Sequence, residues 1–384
     1  MVKIAFIVGK SSDNYPLKYT SRKAPQWLKT QSKNFTDFID TDDHEVPSDV
    51  AMAMYLAEKY PRSTIDCIMG YDVKSKKQLD DYDVIFVIYD AIEVFHCNEG
   101  GNKTCLNDMR AFERAVKNTS AFVYPYPNFH KYIIVKPSYY KDLKKAGIPV
   151  ANFFKITPST ASRDVEAFRR RVERKGWKGI IIKPSYAGYS LGIKVMKNFS
   201  RVKNQTIKNW FNKLKDFGFP NVTVQEFVPD FGDHFEIRTY WINGRYAYSV
   251  GTLTKAVGTG EGLPIDGKDT FVSEGGKIPD KIKTKLQKLA KEVMKSIKQY
   301  PETHPLLRID FGCCLDESGC KGSYFVNEIE TMAANMLADE TDYPVVEKVA
   351  EASYKFANKV KGKQEPKGRN STYQSKQGIC AMPQ

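Results

Sequence analysis

Long apolar runs are missing from this chain of 384 residues. A membrane-spanning helix needs about 20 consecutive apolar residues, and no segment of the sequence reaches that length. The apolar run at residues 2–8 is too short for a signal peptide, and no small-residue cleavage site follows it. Hydrophobic residues make up 41% of the chain and charged residues 27%. We therefore expect a soluble globular protein of two or three domains.

A cysteine framework is also missing. The seven cysteines are odd in number, and their spacing matches neither a zinc site nor a disulfide-stapled domain. Their pattern predicts a reducing compartment, and we expect the protein to be cytoplasmic.

Acidic residues are too few to balance the basic ones, so the net charge is +14 and the isoelectric point about 9.2. This excess favours anionic partners such as nucleotides, phosphates or acidic substrates. Much of it lies in helix-like segments such as residues 168–175, where solvated helix surface is expected. The sequence contains no recognised nucleic-acid module and no internal repeat. We expect small-molecule partners rather than nucleic acid or a membrane, and a homodimer is left open.

Four segments follow from changes of pattern along the chain. Residues 1–125 alternate between strands and helices, and the apolar run at 83–89 is typical of a parallel strand covered on both faces. Residues 126–224 and 225–360 are predicted to form two mixed lobes. Residues 361–384 are rich in Lys, Gln, Gly, Ser and Pro without periodicity, which predicts a disordered tail.

Local signals predict where some elements begin and end. Ser48 is a candidate N-cap for a helix over residues 48–59, and Gly147 is a stop signal for the helix before it. Asn243-Gly244 is typical of a two-residue hairpin turn. A last helix is predicted over residues 345–359.

Two short apolar strands, 307–312 and 324–330, carry acidic residues at their ends. Glu328 and Glu330 are two residues apart, so they point to the same face of a strand. If the strands pair, Asp310 joins them, and three carboxylates on one face repel one another unless a cation lies between them. Oxygen ligands suit Mg²⁺, which shares its coordination shell with nucleotide phosphates. The alternative interpretation is the solvated face of an ordinary hairpin.

A lysine and a glycine-containing loop occupy residues 183–193. Lys183 ends a predicted strand, and its compact charge can reach a phosphate. Gly188 and Gly192 let backbone N–H groups close over phosphate oxygens, and Ser190 adds a hydroxyl donor. The pattern is neither a Walker loop nor a dinucleotide-binding fingerprint. A plain hairpin would also account for two glycines after a strand.

A third strand, residues 222–228, is followed by Pro229, which would halt the strand ladder. The backbone at its exit, Gln225-Glu226-Phe227-Val228, could offer a donor and an acceptor to the edge of an adenine. Glu236 follows at a position where it could accept hydrogen bonds from ribose hydroxyls. Taken alone, this segment is an ordinary strand.

In this order the segments resemble the ATP-grasp superfamily over roughly residues 130–345. Residues 183–193 are similar to the phosphate loop of D-alanine–D-alanine ligases, and Glu236-Ile237-Arg238 is similar to the Asp-Ile-Arg segment of ribosomal-protein glutamate ligases. The resemblance implies an α/β protein with α+β lobes: an ATP-grasp fold preceded by an N-terminal parallel α/β domain. The matching residues are Lys136, Ala146 to Val150, Lys183, Pro184, Ser185, Gly188, Ser190, Gly192, Gln225 to Val228, Arg308-Ile309-Asp310 and Asn327-Glu328.

The resemblance also implies a nucleotide-binding role for several of these residues. Lys136 and Lys183 would bind the α- and β-phosphates of ATP, with Lys131 as the alternative to Lys136. Ser190 would be a further phosphate contact, as would Lys255 unless it is a surface lysine. The remaining contacts would come from Gln225, Glu226 and Val228 for adenine and from Glu236 for ribose.

On the same grounds Asp310 and Glu328 would carry Mg²⁺, with Mn²⁺ as an alternative ion. The family usually has Asn two residues after the second carboxylate, where this chain has Glu330. Glutamate can still ligate, but its charge would have to be balanced by Arg308 or a second ion. The usual Pro-Gly after the site is replaced by residues 331–336, so the substrate class does not carry over.

The leading hypothesis is an ATP-dependent carboxylate–amine ligase that forms an amide or peptide bond through an acyl phosphate. Lys183 would align and neutralise the phosphates, and Arg308 would stabilise the oxyanion of the second step. The alternative is a small-molecule kinase of the inositol phosphate type on the same fold. A third hypothesis, motivated by the basic charge, is a non-catalytic ATP-binding or nucleic-acid-associated protein.

Overall fold

Three main sheets organise the part of the chain that the computed structural model describes, which comprises residues 1–9, 17–88, 103–185, 192–228, 236–254, 269–272, 278–297, 304–313, 323–332, 334, 336–338 and 341–364. The strands are β1 (Lys3–Val8), β2 (Leu17–Lys18), β3 (Glu45–Val46), β4 (Thr64–Met69), β5 (Val84–Val87), β6 (Phe122–Tyr124), β7 (Phe153–Ile156), β8 (Ile180–Pro184), β9 (Lys194–Met196), β10 (Val222–Glu226), β11 (Glu236–Ile242), β12 (Arg245–Thr254), β13 (Asp269–Val272), β14 (Leu307–Cys313) and β15 (Tyr324–Glu330). The helices are α1 (Gln26–Gln31), α2 (Ser48–Lys59), α3 (Lys103–Asn118), α4 (Pro127–Ile134), α5 (Pro137–Lys145), α6 (Pro158–Arg163), α7 (Val165–Glu173), α8 (Asn204–Asp216), α9 (Asp280–Ser296) and α10 (Val345–Gln364).

The first sheet is parallel, with strand order β4-β1-β5-β6. Helices α2 and α10 cover one of its faces, where Phe6 and Phe86 lie, and α3 covers the other, where Ile7 and Ile85 lie. All four residues of β5 are buried. Because both faces are covered, a central strand here needs no polar side, and the predicted buried parallel strand is confirmed.

The second sheet is antiparallel, with strand order β7-β10-β8-β9. Its strands alternate between two faces. Ile180 and Ile182 pack in the core formed with α6, α7 and α8, so Ile181 and Lys183 lie on the opposite face. The predicted course from a strand through a loop into a second strand is confirmed by the β8–β9 pair.

The third sheet is antiparallel, with strand order β13-β12-β11-β14-β15. One face is apolar and packs against α4, α5 and α9 through residues such as Ile237, Trp241 and Ile309. The opposite face carries the charged side chains of β11, β14 and β15. The sequence therefore separates a core face from a polar face by simple alternation, and the polar face meets the second sheet.

The packing units do not follow the predicted domain limits. Helices α4 and α5, which the sequence assigns to residues 126–224, pack in the core of the third sheet. Strand β10 lies wholly in the second sheet, whereas the predicted limit at residue 224 divides it. Helix α10 packs on α2 and the first sheet. Within the described ranges, no helix has both the length and the apolar character needed to cross a membrane.

Several predicted element ends can be compared with the structure. Asn243 and Gly244 have φ of 50° and 72°, so the predicted hairpin turn is confirmed. Gly147, with φ of 75°, follows α5 as expected. The N-cap of α2 is Pro47 and Ser48 is already helical, so that cap was wrong. Helix α10 continues to Gln364 rather than ending near residue 359; residues 365–384 of the predicted tail lie outside the described ranges.

Candidate functional site

Two lysines from different elements meet the end of β15. Lys183 on β8 donates from Nζ to Asn327 Oδ1 at 2.7 Å. Lys136, at the start of α5, forms an ion pair with Glu328. Both lysines are buried. Lys183 thus joins the second sheet to the third at a point where charged groups are held away from water.

A β-bulge on β15 presents two consecutive residues to this junction. Asp310 pairs with Glu328 across β14 and β15, but the next residue, Phe311, pairs with Val326. Asn327 is therefore the extra residue of the bulge, and both it and Glu328 contact the lysines. Bulges redirect side chains in this way next to functional sites. The amide Nδ2 of Asn327 also donates to Glu236 Oε1 at 2.6 Å.

The carboxylates of the polar face each contact a basic side chain. Arg308 donates from Nε and Nη2 to the two carboxylate oxygens of Asp310, at 2.9 Å and 2.8 Å. Its third contact runs from Nη1 to Glu330 Oε2, at 2.8 Å. Arg238 Nη2 lies 3.4 Å from Glu236 Oε2. With the ion pair between Lys136 and Glu328, and with Lys183 beside it, the site contains four acidic and four basic groups.

Burial and charge act in opposite directions on the pKa values of the site. Burial lowers the pKa of Lys183 to about 8, since the charges of its acidic neighbours only partly offset desolvation. Burial would also lower the pKa of Lys136, but the adjacent Glu328 raises it above its ordinary value. Desolvation of Glu328 is outweighed by Lys136, Arg308 and Lys183, which bring its pKa to about 2. Glu328 is thus ionised at neutral pH.

A narrow cleft opens beside this charged group. The side-chain amide of Gln225 is 1% exposed, and neither Oε1 nor Nε2 has a hydrogen-bond partner among the described residues. A buried amide without partners is costly, and a ligand that supplied a donor and an acceptor would remove that cost. The residues that line the cleft are Ala151, Ile181, Gln225, Glu226, Val228, Phe325 and Asn327.

The predicted phosphate loop lies only partly within the described residues. Ser190, Gly188 and Lys255 lie outside the described residues. Gly192 has φ of 66°, and a Cβ there would lie 2.8 Å from Pro184 Cγ, so both conformation and space require glycine. Of the two candidates for the first phosphate lysine, Lys136 contacts Glu328, whereas Lys131 is exposed on α4.

The predicted convergence of three carboxylates differs from what the structure places there. Asp310, Glu328 and Glu330 share one face, yet the described residues include no group of three or more carboxylate, histidine or cysteine side chains that could hold a metal as they stand. The reason is electrostatic: each carboxylate is turned toward Arg308 or Lys136 instead of toward the other two.

Three residues of the site had no assigned role in the sequence analysis. Asn327 bridges Lys183 and Glu236, Arg238 pairs with Glu236, and the hydroxyl of Tyr140 donates to the carbonyl oxygen of Asn327. Arg238 could have been found, because it lies two residues from Glu236 on one strand face. Asn327 could not, because strict alternation places it opposite Glu328.

Comparisons with known proteins identify a family. The family model "D-ala D-ala ligase C-terminus" matches residues 143–338. No curated protein matches the chain in sequence.

Solved structures resemble the whole fold. D-cycloserine synthetase DcsG is 13% identical and covers 93% of this chain and 99% of its own, with a TM-score of 0.57. D-alanyl-alanine synthetase A from Vibrio cholerae O1 biovar eltor is 14% identical, with 93% and 98% coverage and a TM-score of 0.55. The ATP-grasp ligase PsnB with a minimal precursor is 13% identical, with 92% and 98% coverage and a TM-score of 0.51. These likenesses confirm the predicted ATP-grasp fold with its N-terminal parallel domain.

The family match covers 196 of the 384 residues and includes Lys183, Gln225, Arg308 and Glu328. It confirms the ligase branch that the sequence resembles. The chain belongs to the D-ala D-ala ligase C-terminus family, and so to the ATP-grasp enzymes that use ATP to form carbon–nitrogen bonds.

Proposed function

We propose that this protein activates a small-molecule carboxylate with ATP and joins it to an amine through an acyl-phosphate intermediate. One observation carries the proposal. The cleft beside the partnerless amide of Gln225 adjoins the junction where Lys183 and Lys136 meet the carboxylate-bearing end of β15. A base site next to buried cations and carboxylates suits a nucleoside triphosphate.

The base would lie in the cleft. An amide presents one acceptor and one donor, which match the N6 amino group and a ring nitrogen of adenine. Gln225 would therefore contact adenine, with Glu226 and Val228 along its edge and Glu236 toward the ribose. Glu236 accepts a hydrogen bond from Asn327 and pairs with Arg238, which fix its carboxylate beside the cleft.

The phosphates would lie between Lys136 and Lys183, with Ser190 as a further donor from the loop. The two lysines come from β8 and the start of α5, and both reach the carboxylate-bearing end of β15. Lys183 now donates to a neutral amide oxygen rather than to a carboxylate. Exchanging that partner for a phosphate oxygen replaces a weaker acceptor with a charged one.

Two of the carboxylates, together with phosphate oxygens, would complete the oxygen ligand set of a divalent cation. Their donor set is oxygen only, and Asp310 and Glu328 are directly opposed across β14 and β15, with Glu330 beside them. We propose that Asp310 and Glu328 hold Mg²⁺, or Mn²⁺, and that Glu330 contributes. When bound, the ion would neutralise charge on the phosphates.

The reaction would proceed in two steps. The substrate carboxylate attacks the γ-phosphorus of ATP, releasing ADP and forming an acyl phosphate; the amine then attacks the acyl carbon, loses a proton and expels phosphate. Lys136 and Lys183 align the phosphates, and Arg308 donates to the oxyanion of the second step. Removing such a donor costs about 3 kcal/mol of barrier.

One experiment tests the proposal by its product. The protein is incubated with ATP, Mg²⁺ and a pool of amino acids and small acids, and mass spectrometry searches for a new amide together with ADP and free phosphate. A phosphorylated acceptor without an amide would instead identify the inositol phosphate type of kinase. ATP-independent, salt-sensitive nucleic-acid binding would identify the non-catalytic alternative.

The residue assignments are tested by substitution. Lys183→Ala and Glu328→Gln should each reduce ATP turnover at least about 100-fold, because each removes a charge that aligns the phosphates or their cation. Lys178→Ala is the matched control, since Lys178 is an exposed lysine of the same lobe. Turnover near the wild-type rate in either site variant would contradict the assignment.

A cytoplasmic location is proposed from the reducing compartment that the cysteines predict.

A further inference from the structure

Arg308 is held by two of the carboxylates that the proposed function gives to the metal. Its Nε and Nη2 bind both oxygens of Asp310, and its Nη1 binds Glu330 Oε2. The residue is 4% exposed. A bidentate pair plus a second charge-assisted bond is the strongest arrangement that a guanidinium forms with carboxylates. In this arrangement Arg308 points into the acidic group and not toward a substrate.

The strand register explains this arrangement. Arg308 lies directly opposite Glu330, and Asp310 lies directly opposite Glu328. Arg308 and Asp310 are two residues apart on β14, so all four side chains share one face. Lys136 pairs with Glu328, and Arg308 pairs with the other two carboxylates. Arg238 lies opposite Asp310 in the register of β11 and β14, but its ion pair is with Glu236.

Glu330 gives Arg308 a second carboxylate partner in addition to Asp310. The resemblance leads us to expect Asn at this position, and an amide oxygen would give Arg308 a neutral acceptor in place of a charged one. A charge-assisted hydrogen bond is roughly twice as strong as a neutral one. Burial raises the pKa of Glu330 to about 8, and the charge of Arg308 opposes that rise. Where Glu330 is ionised, the substitution of Glu for Asn strengthens the grip on Arg308 and adds a ligand that attracts a divalent cation.

We propose that Arg308 acts as a built-in counter-ion that leaves Asp310 and Glu330 when a divalent cation binds, and that Glu330 is the positioning residue that couples the two events. The inference rests on the proposed function. The cation and the guanidinium compete for the same oxygens, so binding of one must weaken binding of the other by the same factor. Release frees the N–H groups of Arg308 to donate to the reacting acyl oxygen. The site would then assemble its oxyanion donor only after the metal is in place.

The test measures metal affinity without nucleotide, so it does not depend on catalysis. Mn²⁺ binding is followed by electron paramagnetic resonance for the wild type, Arg308→Lys and the control Arg169→Lys. Arg169 also donates through more than one nitrogen, to Asn204 and to the carbonyl oxygen of Val202, but lies in the second lobe away from the carboxylates. Lysine keeps the charge but cannot bind two acceptors in a fork. We expect Arg308→Lys to bind Mn²⁺ about 10-fold more tightly and Arg169→Lys to change the affinity less than about twofold. Equal affinities for wild type and Arg308→Lys would overturn the proposal.

A second comparison isolates Glu330. Arg308→Lys is then made in a Glu330→Gln background, where the second carboxylate no longer holds the arginine. The factor by which it raises Mn²⁺ affinity should be at least about fivefold smaller there than in the wild-type background. Simple additivity would remove Glu330 from the mechanism. Circular dichroism melts check that each variant is folded. The product assay is an independent measurement. An amide product without the change in Mn²⁺ affinity would support the ligase function and reject the coupling. The change in Mn²⁺ affinity without an amide product would support the coupling and reject the ligase function.

Discussion

At the scale of single residues, two buried polar groups on one face of β10 have no hydrogen-bond partner among the described residues. Gln225 lines the base cleft, and Thr223 lies opposite Lys183 in the strand register. Natural proteins keep few such groups, because each costs about 1–3 kcal/mol. A group that lowers stability and faces a cleft is best explained by a ligand that satisfies it.

Gln225→Met should therefore separate stability from binding. Methionine has nearly the same length but removes the partnerless amide, so the free energy of unfolding of the ligand-free protein should rise by about 1 kcal/mol. ATP affinity should fall about 10-fold, because the adenine loses a donor and an acceptor. Urea unfolding and isothermal titration with ATP check the two quantities.

Thr223→Val is the matched control on the same strand. It removes a buried hydroxyl that is 1% exposed and has no partner in the part of the chain that the structure describes, but Thr223 does not line the cleft. The free energy of unfolding of Thr223→Val should rise, as it does for Gln225→Met, while the ATP affinity of Thr223→Val stays at the wild-type value. If Gln225→Met lowers stability instead, the amide has a structural partner and the base assignment loses its support.

At the scale of elements, the alternation of apolar and polar residues predicts most of what positions the site. Residues 236–242 alternate between two faces of a strand. Ile237 and Trp241 lie on the apolar face, Glu236 and Arg238 lie on the polar face, and β11 spans these same residues. Helix α8 is absent from the predicted elements, although Ile207, Trp210, Phe211 and Leu214 have helical spacing and pack inward. The spacing of these apolar residues is sufficient to predict the helix from the sequence.

The bulge on β15 was not within reach of the sequence. A period of two places Asn327 on the apolar face with Ile329, but the extra residue turns it toward Lys183 and Glu236. The contacts of Arg308 were equally hidden, because a list of carboxylates and cations does not say which ones pair. Pairing depends on strand register and burial, which arise only from the assembled sheets.

A histidine at the joint between elements makes stability depend on pH. His304 precedes β14, its Nδ1 hydrogen-bonds to the hydroxyl of Tyr124 at the end of β6, and its ring stacks on Phe129 of α4 at 5.0 Å. Burial lowers its pKa to about 4, against about 6.5 in an unfolded chain. Between pH 6.5 and 4 the unfolded chain binds the additional proton, so this contribution is complete above pH 6.5 and is lost as pH falls toward 4.

His304→Gln should reduce that dependence. The wild type should lose up to about 3 kcal/mol more between pH 7 and pH 4 than the variant does, because glutamine does not titrate. Urea unfolding at several pH values measures the difference. His44→Asn is the control, because His44 is exposed and asparagine tolerates its φ of 59°. Parallel pH profiles for wild type and His304→Gln would show that protonation at this joint costs nothing.

At the scale of the whole molecule, the positive charge is concentrated in one lobe. Residues 151–228 contain sixteen lysines and arginines against five acidic residues, which gives +11 of the total of +14. This is the lobe of the second sheet, whose inner face carries Lys183 and Gln225 and whose outer face is covered by α6, α7 and α8. A positive field around a phosphate-binding cleft raises the rate at which anionic ligands arrive.

The field should act on association and not on the bound complex. Arg170, Arg174 and Lys208 are exposed on or next to the outer helices, on the side of the sheet away from the cleft. A covering helix alone is about 10–12 Å in diameter, which exceeds the Debye length of about 8 Å at physiological salt. Replacing all three by Glu should therefore slow ATP association about threefold to tenfold at low ionic strength, and less than about twofold at 0.15 M. Stopped-flow measurement with ATP and with uncharged adenosine separates the two effects, because adenosine should associate at the same rate with both proteins. An equal loss at both ionic strengths, or a loss for adenosine as well, would mean that the substitutions disturb the lobe itself, and the field would then not explain where the chain places its charge.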